Sequence, residues 1–145
     1  MFNLSLIKKI ELVRKSDCNK IDARLNSINY YSILLSGKSF TNIDGVKPES
    51  ASCSDVEKSD DTGTYWEKKL TFTIPKITAT KIQMFEYFKK GKVNAVITDA
   101  NGNIWLLRYL NITTTNDLPG TVKGLNSIKA TLSSLDKYPI ISVII

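Results

Sequence analysis

The stretch Val96 to Leu107, VITDANGNIWLL, limits the fold more tightly than any other part of the chain. Its polar cluster, Asp99 to Asn103, separates two runs, KVNAVIT and NIWLLRYL, rich in the β-branched, aromatic and leucine side chains that suit a half-buried pleated surface. Asp99 can accept from the backbone two residues on, Ala100 and Asn101 tolerate the αR positions of a type I turn, and Gly102 supplies the left-handed residue of a bulge. A two-residue type I′ loop at Asn101-Gly102 is the other solution, with the register shifted by one. Asp99, Asn101 and Asn103 also alternate as the first ligands of a calcium loop do. The places where such a loop needs its glycine and its bidentate carboxylate hold Ile104 and Leu110, so the cluster reads as a bend.

Other segments repeat the period of two. In LSLIKKIELV, Leu4, Leu6, Ile10 and Leu12 fall on one face, interrupted by Lys8. INYYSILLSG, residues 28 to 37, is apolar on both faces, as a central strand or one lying against a neighbouring subunit would be. YWEKKLTFTIP alternates through Leu70, Phe72 and Ile74 until Pro75 ends the ladder, and NSIKATLSS alternates through Ile128, Ala130 and Leu132. One helix breaks the series. TKIQ is a capping box with Thr80 as cap and Gln83 reaching back, Ile82, Phe85 and Phe88 make one apolar stripe, Lys89 and Lys90 suit the last turn, and Gly91 closes it. The expected order is strand, strand, strand, helix, hairpin, strand. The expected fold is mainly β (α+β), a β-sandwich or barrel with one flanking α-helix, in a single domain over residues 1–145.

Two segments lack a place in that scheme. Residues 37–64 show no periodicity and read as a long loop, and loops of such length usually serve a function or stay disordered. They hold three lysines against six acids, while the rest of the chain holds 17 basic residues against 8 acidic ones. An acidic arm that docks on a basic surface of the next copy is one use of that split, and a solvated loop is the other. The C-terminal tail 138–145 is apolar and uncharged after Lys137, so it either closes this domain's own sheet or adds to a sheet edge of a neighbour. On the intermolecular reading, Asp55, Glu57, Asp60, Asp61, Ile140, Ile141 and Val143 are the candidate subunit contacts.

The chain contains no histidine, which removes Ser-His-Asp and Cys-His arrangements and the commonest metal ligand, and neither a Walker loop nor a dinucleotide fingerprint occurs. Asp60 and Asp61 sit in a polar stretch with nothing to separate their pKa values for acid/base work. No enzymatic activity, cofactor or metal is expected. No apolar run approaches the roughly 20 residues of a membrane-spanning helix. The N-terminus MFNLSLIKKIELVRK meets charge too early for a signal peptide and reads as a strand of the mature protein. Cys18 and Cys53, without metal-ligand spacing, read as free thiols. A pI near 9.3 and the aromatic Tyr30, Tyr31, Trp66, Trp105 and Tyr109 leave a cytoplasmic nucleic-acid-binding β-domain as the alternative function, although the basic residues are dispersed.

The helix and hairpin together, TKIQMFEYFKKGKVNAVITDANGNIWLL, followed by a polar link and the strand GLNSIKATLSS, resemble small virion proteins of tailed phages of Bacteroidales, including crAss-like phages. In those proteins a strand, a D-x-N-G turn and a W/Y-L-L strand precede a polar segment and a late strand ending near a proline. The likeness covers roughly residues 68 to 139 and departs at Arg108, where a glycine often follows the two leucines. It implies a tail-tube, tail-terminator or neck-ring subunit, made in the host cytoplasm and built into the virion. Such a subunit forms a homo-oligomeric ring around the DNA channel, touches neighbouring tail or neck proteins, and binds neither membrane nor a specific DNA sequence.

Overall fold

The computed structural model describes residues 2–4, 7–47, 50–118 and 126–145. Among these, the strands are β1 (Phe2–Leu4), β2 (Ile7–Arg14), β3 (Ser27–Asn29), β4 (Thr41–Asn42), β5 (Ser52–Asp60), β6 (Gly63–Pro75), β7 (Val93–Asp99), β8 (Ile104–Asp117), β9 (Ser127–Asp136) and β10 (Ile141–Ile144). One α-helix, α1 (Ala79–Phe88), lies between β6 and β7. The fold is mainly β with one helix, as its sequence pattern predicts. The strand order is β1-β5-β6-β9-β8-β7-β2-β4, and β10 pairs with β8 and β3.

The long strand β8 organises this order. Its first half pairs with β7, and its second half, Asn111 to Asp117, pairs with β9. Two half-sheets are therefore joined through one strand and face each other in a sandwich-like arrangement. Between them lies the larger core, built from Ile10 and Leu12 of β2, Leu70, Phe72 and Ile74 of β6, Val93, Ala95 and Ile97 of β7, and Ile128, Ala130 and Leu132 of β9. Those of β2, β6 and β9 are the inward positions that alternation predicts. Leu6 lies outside the described residues, and Leu4 belongs to β1, which pairs with β5.

The helix plugs this core with Phe85 and Phe88, the Phe85 ring standing 6.2 Å from that of Phe72. Ile82, the third residue of the expected stripe, is exposed. The cap also moves: Thr78, not Thr80, accepts from the Lys81 amide at 3.2 Å. The helix starts earlier because Lys76, at φ 64°, turns the chain, and the Lys81 ammonium then donates to the carbonyls of Pro75 and Lys76 at 2.8 Å each.

A second, smaller core covers the other face of β2, β7 and β8, with Val13, Val96 and Leu106 beneath Ile21, Ile33, Ile141 and Val143. This explains why β7 is buried on both faces. The stretch 28–37, expected as a central strand or one lying against a neighbouring subunit, is a strand only at Ile28 and Asn29 and beyond them is part of that cover. Its strand ends at Asn29, whose side chain accepts from the Tyr31 amide at 2.9 Å and starts a 3-10 turn. Asn19 donates to the carbonyls of Ser32 and Leu34, and Tyr30 donates its hydroxyl to the buried Glu11 at 2.8 Å. Ile28, Tyr30, Ile33 and Leu34 pack on the second core, while Tyr31 and Leu35 are exposed.

The hairpin takes the first of its two expected forms. Gly102 N donates to Asp99 O at 3.1 Å, Asp99 N donates to Asn103 O at 2.9 Å, and Gly102 has φ 85°. The Asp99 carboxylate accepts from the amides of Asn101 and Asn103 at 2.9 and 3.0 Å and from the Trp105 indole at 3.3 Å. Burial of that carboxylate opposes its ionisation, and these donors outweigh burial, holding its pKa below the ordinary aspartate value.

Candidate functional site

Residues 37–64 do not form a long loop. After β4 the chain enters β5, which pairs with β6 from Ser52↔Thr71 to Asp60↔Gly63. Periodicity could not reveal β5, because its inward positions are Cys53 and the charged Asp55 and its far end is exposed on both faces. β1 covers β5 only as far as Asp55, and β9 covers β6 only from Trp66 onward. Beyond those points β5 and β6 continue as a two-stranded arm with no further neighbour strand among the described residues. Glu57, Asp60 and Asp61 are all exposed on it. At its turn the Asp60 carboxylate accepts from the Thr62 hydroxyl at 2.6 Å and the Thr62 amide at 2.8 Å, which keeps its pKa low. Lys58 is neutralised across the ribbon by Glu67 at 2.7 Å. The arm therefore presents Glu57, Asp60 and Asp61 as acids without an ion-pair partner among the described residues.

Asp55, grouped with them in the sequence, is a different kind of residue. Its side chain and that of Lys68 are each 1% exposed, and they form an ion pair of 3.0 Å. Lys68 also donates to Tyr138 O at 2.7 Å, and the other Asp55 oxygen accepts from Ile140 N at 2.8 Å. Every charged atom of the pair is thus answered, which burial of ions demands. Asp55 is unavailable to a partner chain. The pair holds residues 138–140 across β5 and β6, and the chain then enters β10, whose Ile141 pairs with Leu106 of β8. Ile141 and Val143 are buried in the second core and Ile140 packs on the first, so the tail closes its own sheet and these three residues are not a free contact surface. Cys18 and Cys53 are free and buried, in the second and first core respectively, and burial pushes the Cys53 thiol up to about 12.

A third feature was not foreseen. Between Ala95↔Leu107 and Val93↔Leu110 the β7–β8 register shifts, so β8 carries an extra residue. Tyr109 there adopts φ 56°, an unusual conformation for a side chain of its size. The buried Asn94 holds it by accepting from Tyr109 N at 2.7 Å. Such bulges re-aim side chains. Arg108 reaches Asp136 at 2.8 and 3.2 Å and lies 4.7 Å from the Tyr109 ring centre, while the Lys15 ammonium lies 4.4 Å from the same centre. These groups border a cleft of about 360 Å³ that Lys92 and Lys137 also line. Among the described residues, Lys15, Lys92 and Lys137 have no carboxylate within ion-pair distance. A larger hollow of about 880 Å³, at the mouth of the first core, has an apolar floor of Ile7, Ile10, Ile43 and Ala51.

No family model, no curated protein and no solved structure matches the chain. The arm and the lysine cleft are thus read on their own chemistry. No helix among the described residues is long and apolar enough to cross a membrane.

Proposed function

We propose that the protein is a virion structural subunit that assembles with copies of itself into a symmetric ring in a phage tail or neck, with DNA passing through the channel and related rings above and below. The observation that carries this reading is the acidic arm. A two-stranded ribbon with both faces in water is marginal by itself, and its backbone and charges gain most when a second surface covers them. An arm anchored by a buried ion pair at its base and bare at its tip suits a head-to-tail contact, which closes into a ring when the rotation between copies allows. The resemblance to small phage virion proteins points the same way.

The test is the mass of the purified chain under native conditions beside a trimmed variant. Replacing residues 58–65 with Asn-Gly joins Glu57 to Trp66, which stand opposite each other in the register, through a favoured two-residue turn. The parent is expected to assemble and the trimmed chain, with an unchanged circular dichroism spectrum, to stay monomeric. A parent that is monomeric at tens of micromolar, or a trimmed chain that assembles as well as the parent, overturns the reading. The second reading, a nucleic-acid-binding β-domain, draws on the three unpaired lysines around Tyr109, which suit phosphates. Tight binding of a single-stranded oligonucleotide by a monomer would favour it.

A further inference from the structure

We infer that the lysine cleft beside the Arg108–Tyr109 bulge is the receptor for the acidic arm of a second copy of this chain. This rests on the ring reading and names the surface that such a ring would use. The two surfaces are complementary in charge and in what each lacks. On the arm, Lys58 is already paired with Glu67, leaving Glu57, Asp60 and Asp61. In the cleft, Arg108 is already paired with Asp136, leaving Lys15, Lys92 and Lys137. Glu57 at the base of the arm and Asp60 and Asp61 at its turn are three acids without an ion-pair partner among the described residues, and the three cleft lysines are their counterparts in charge.

Within one chain no ion pair joins these acids to these lysines among the described residues. Trp66, at the base of the arm, pairs with Asp136, which lines the cleft. From there the ribbon runs on through the pairs Lys58↔Tyr65, Ser59↔Thr64 and Asp60↔Gly63 to its turn. At about 3.3 Å per residue, the tip ends roughly 13 Å beyond that base. The acids of the turn thus lie beyond the strand pair that borders the cleft, where a second copy can reach them. Phosphates of a nucleic acid are the competing occupant of the cleft. The arm is favoured because it accounts for both unpaired sets at once, whereas a nucleic acid leaves the acids unanswered.

The experiment exchanges the charges and reads native mass. One variant carries E57K, D60K and D61K, and the other carries K15E, K92E and K137E. All six positions are exposed, so both chains should fold, and circular dichroism checks this. Each variant alone sets like charges against each other and should assemble at least tenfold more weakly than the parent. An equimolar mixture should restore assembly with the two chains alternating, since the basic arm of one then meets the acidic cleft of the other. If the lysine-reversed chain assembles like the parent, the cleft is not the receptor, while the ring reading stands or falls on the trimmed arm. Failure of the folded variants to recover on mixing also overturns the inference. So does a lysine-reversed chain that assembles normally and loses only its binding to a single-stranded oligonucleotide, which would assign the cleft to phosphates.

Discussion

A Lys68→Met variant removes one buried cation and keeps most of its aliphatic length, so it isolates the electrostatic part of what holds the C-terminal segment. Three bonds meet at the pair: Lys68 to Asp55 at 3.0 Å, Lys68 to Tyr138 O at 2.7 Å and Ile140 N to Asp55 at 2.8 Å. The variant loses the first two and leaves a carboxylate in the interior with one backbone donor. Breaking a buried pair from one side costs about 3 to 5 kcal/mol, a large share of the roughly 5 to 15 kcal/mol that a domain has in total. For a chain of this length that is a fall in melting temperature of about 8 to 16 °C. The double variant Asp55→Asn, Lys68→Met removes the stranded charge yet keeps an acceptor for Ile140 N, and it should recover more than half of the loss. Urea unfolding measures the totals, and amide exchange across Ile141 to Ile144 shows where the loss is felt first. A single variant within about 1 kcal/mol of the parent, or a double variant worse than the single, would refute the idea that compensated burial of this pair anchors the tail.

Gly102→Val should destabilise the hairpin by about 1 to 3 kcal/mol through backbone strain alone, since nothing lies within 4 Å of the added Cβ; thermal unfolding checks it, and an unchanged melting temperature contradicts it. Phe85→Ala should cost about 3 to 5 kcal/mol in denaturant unfolding of the monomer, because the ring is fully enclosed against Phe72. Asp99 is more acidic in the folded chain than the ordinary value of 3.8, so its stabilisation is complete above that pH and fades as pH falls through the lower folded value. Trp105 fluorescence should therefore titrate with a midpoint below 3.8, and Asp99→Asn should abolish that transition.

Segments that bury apolar side chains on alternate positions announced themselves. Leu70, Phe72 and Ile74 of β6 and Ile128, Ala130 and Leu132 of β9 read as strands because water is excluded from one face only. The Asp99 to Gly102 turn was equally plain, since few residues tolerate its dihedral angles. β5 was hidden for the opposite reason: its inward Asp55 is made tolerable by Lys68, which is thirteen positions further along and opposite only once the strands pair. The acidic arm thus shows in the sequence as charge without periodicity, the pattern of a loop, and Asp55 differs from its acidic neighbours only through Lys68. Residues 30–37 have the composition of a strand because Tyr30, Ile33 and Leu34 cover one, and composition does not separate the two. The cleft left a faint trace, the step from Leu107 to Leu110 among steps of two, which marks an extra residue in β8. Its lysines are far apart in sequence and converge only through the β2–β7 and β8–β9 pairings.

β10 joins residues from opposite ends of the described chain, pairing in parallel with Ser27 to Asn29 and antiparallel with Trp105 and Leu106. On a ribosome this strand is synthesised after every element that it covers. Until it emerges, the apolar side chains of Val96, Leu106 and Ile33 lack part of their cover, and the edge of β8 stays open to any strand that meets it. Closure of the second core is therefore a late, long-range event, of the kind that slows folding and leaves sticky intermediates in the interim. Without Ile141 to Ile144 the larger core keeps its residues, while the smaller one loses Ile141 and Val143 and β8 loses a partner strand, which leaves an open edge of the kind that invites aggregation.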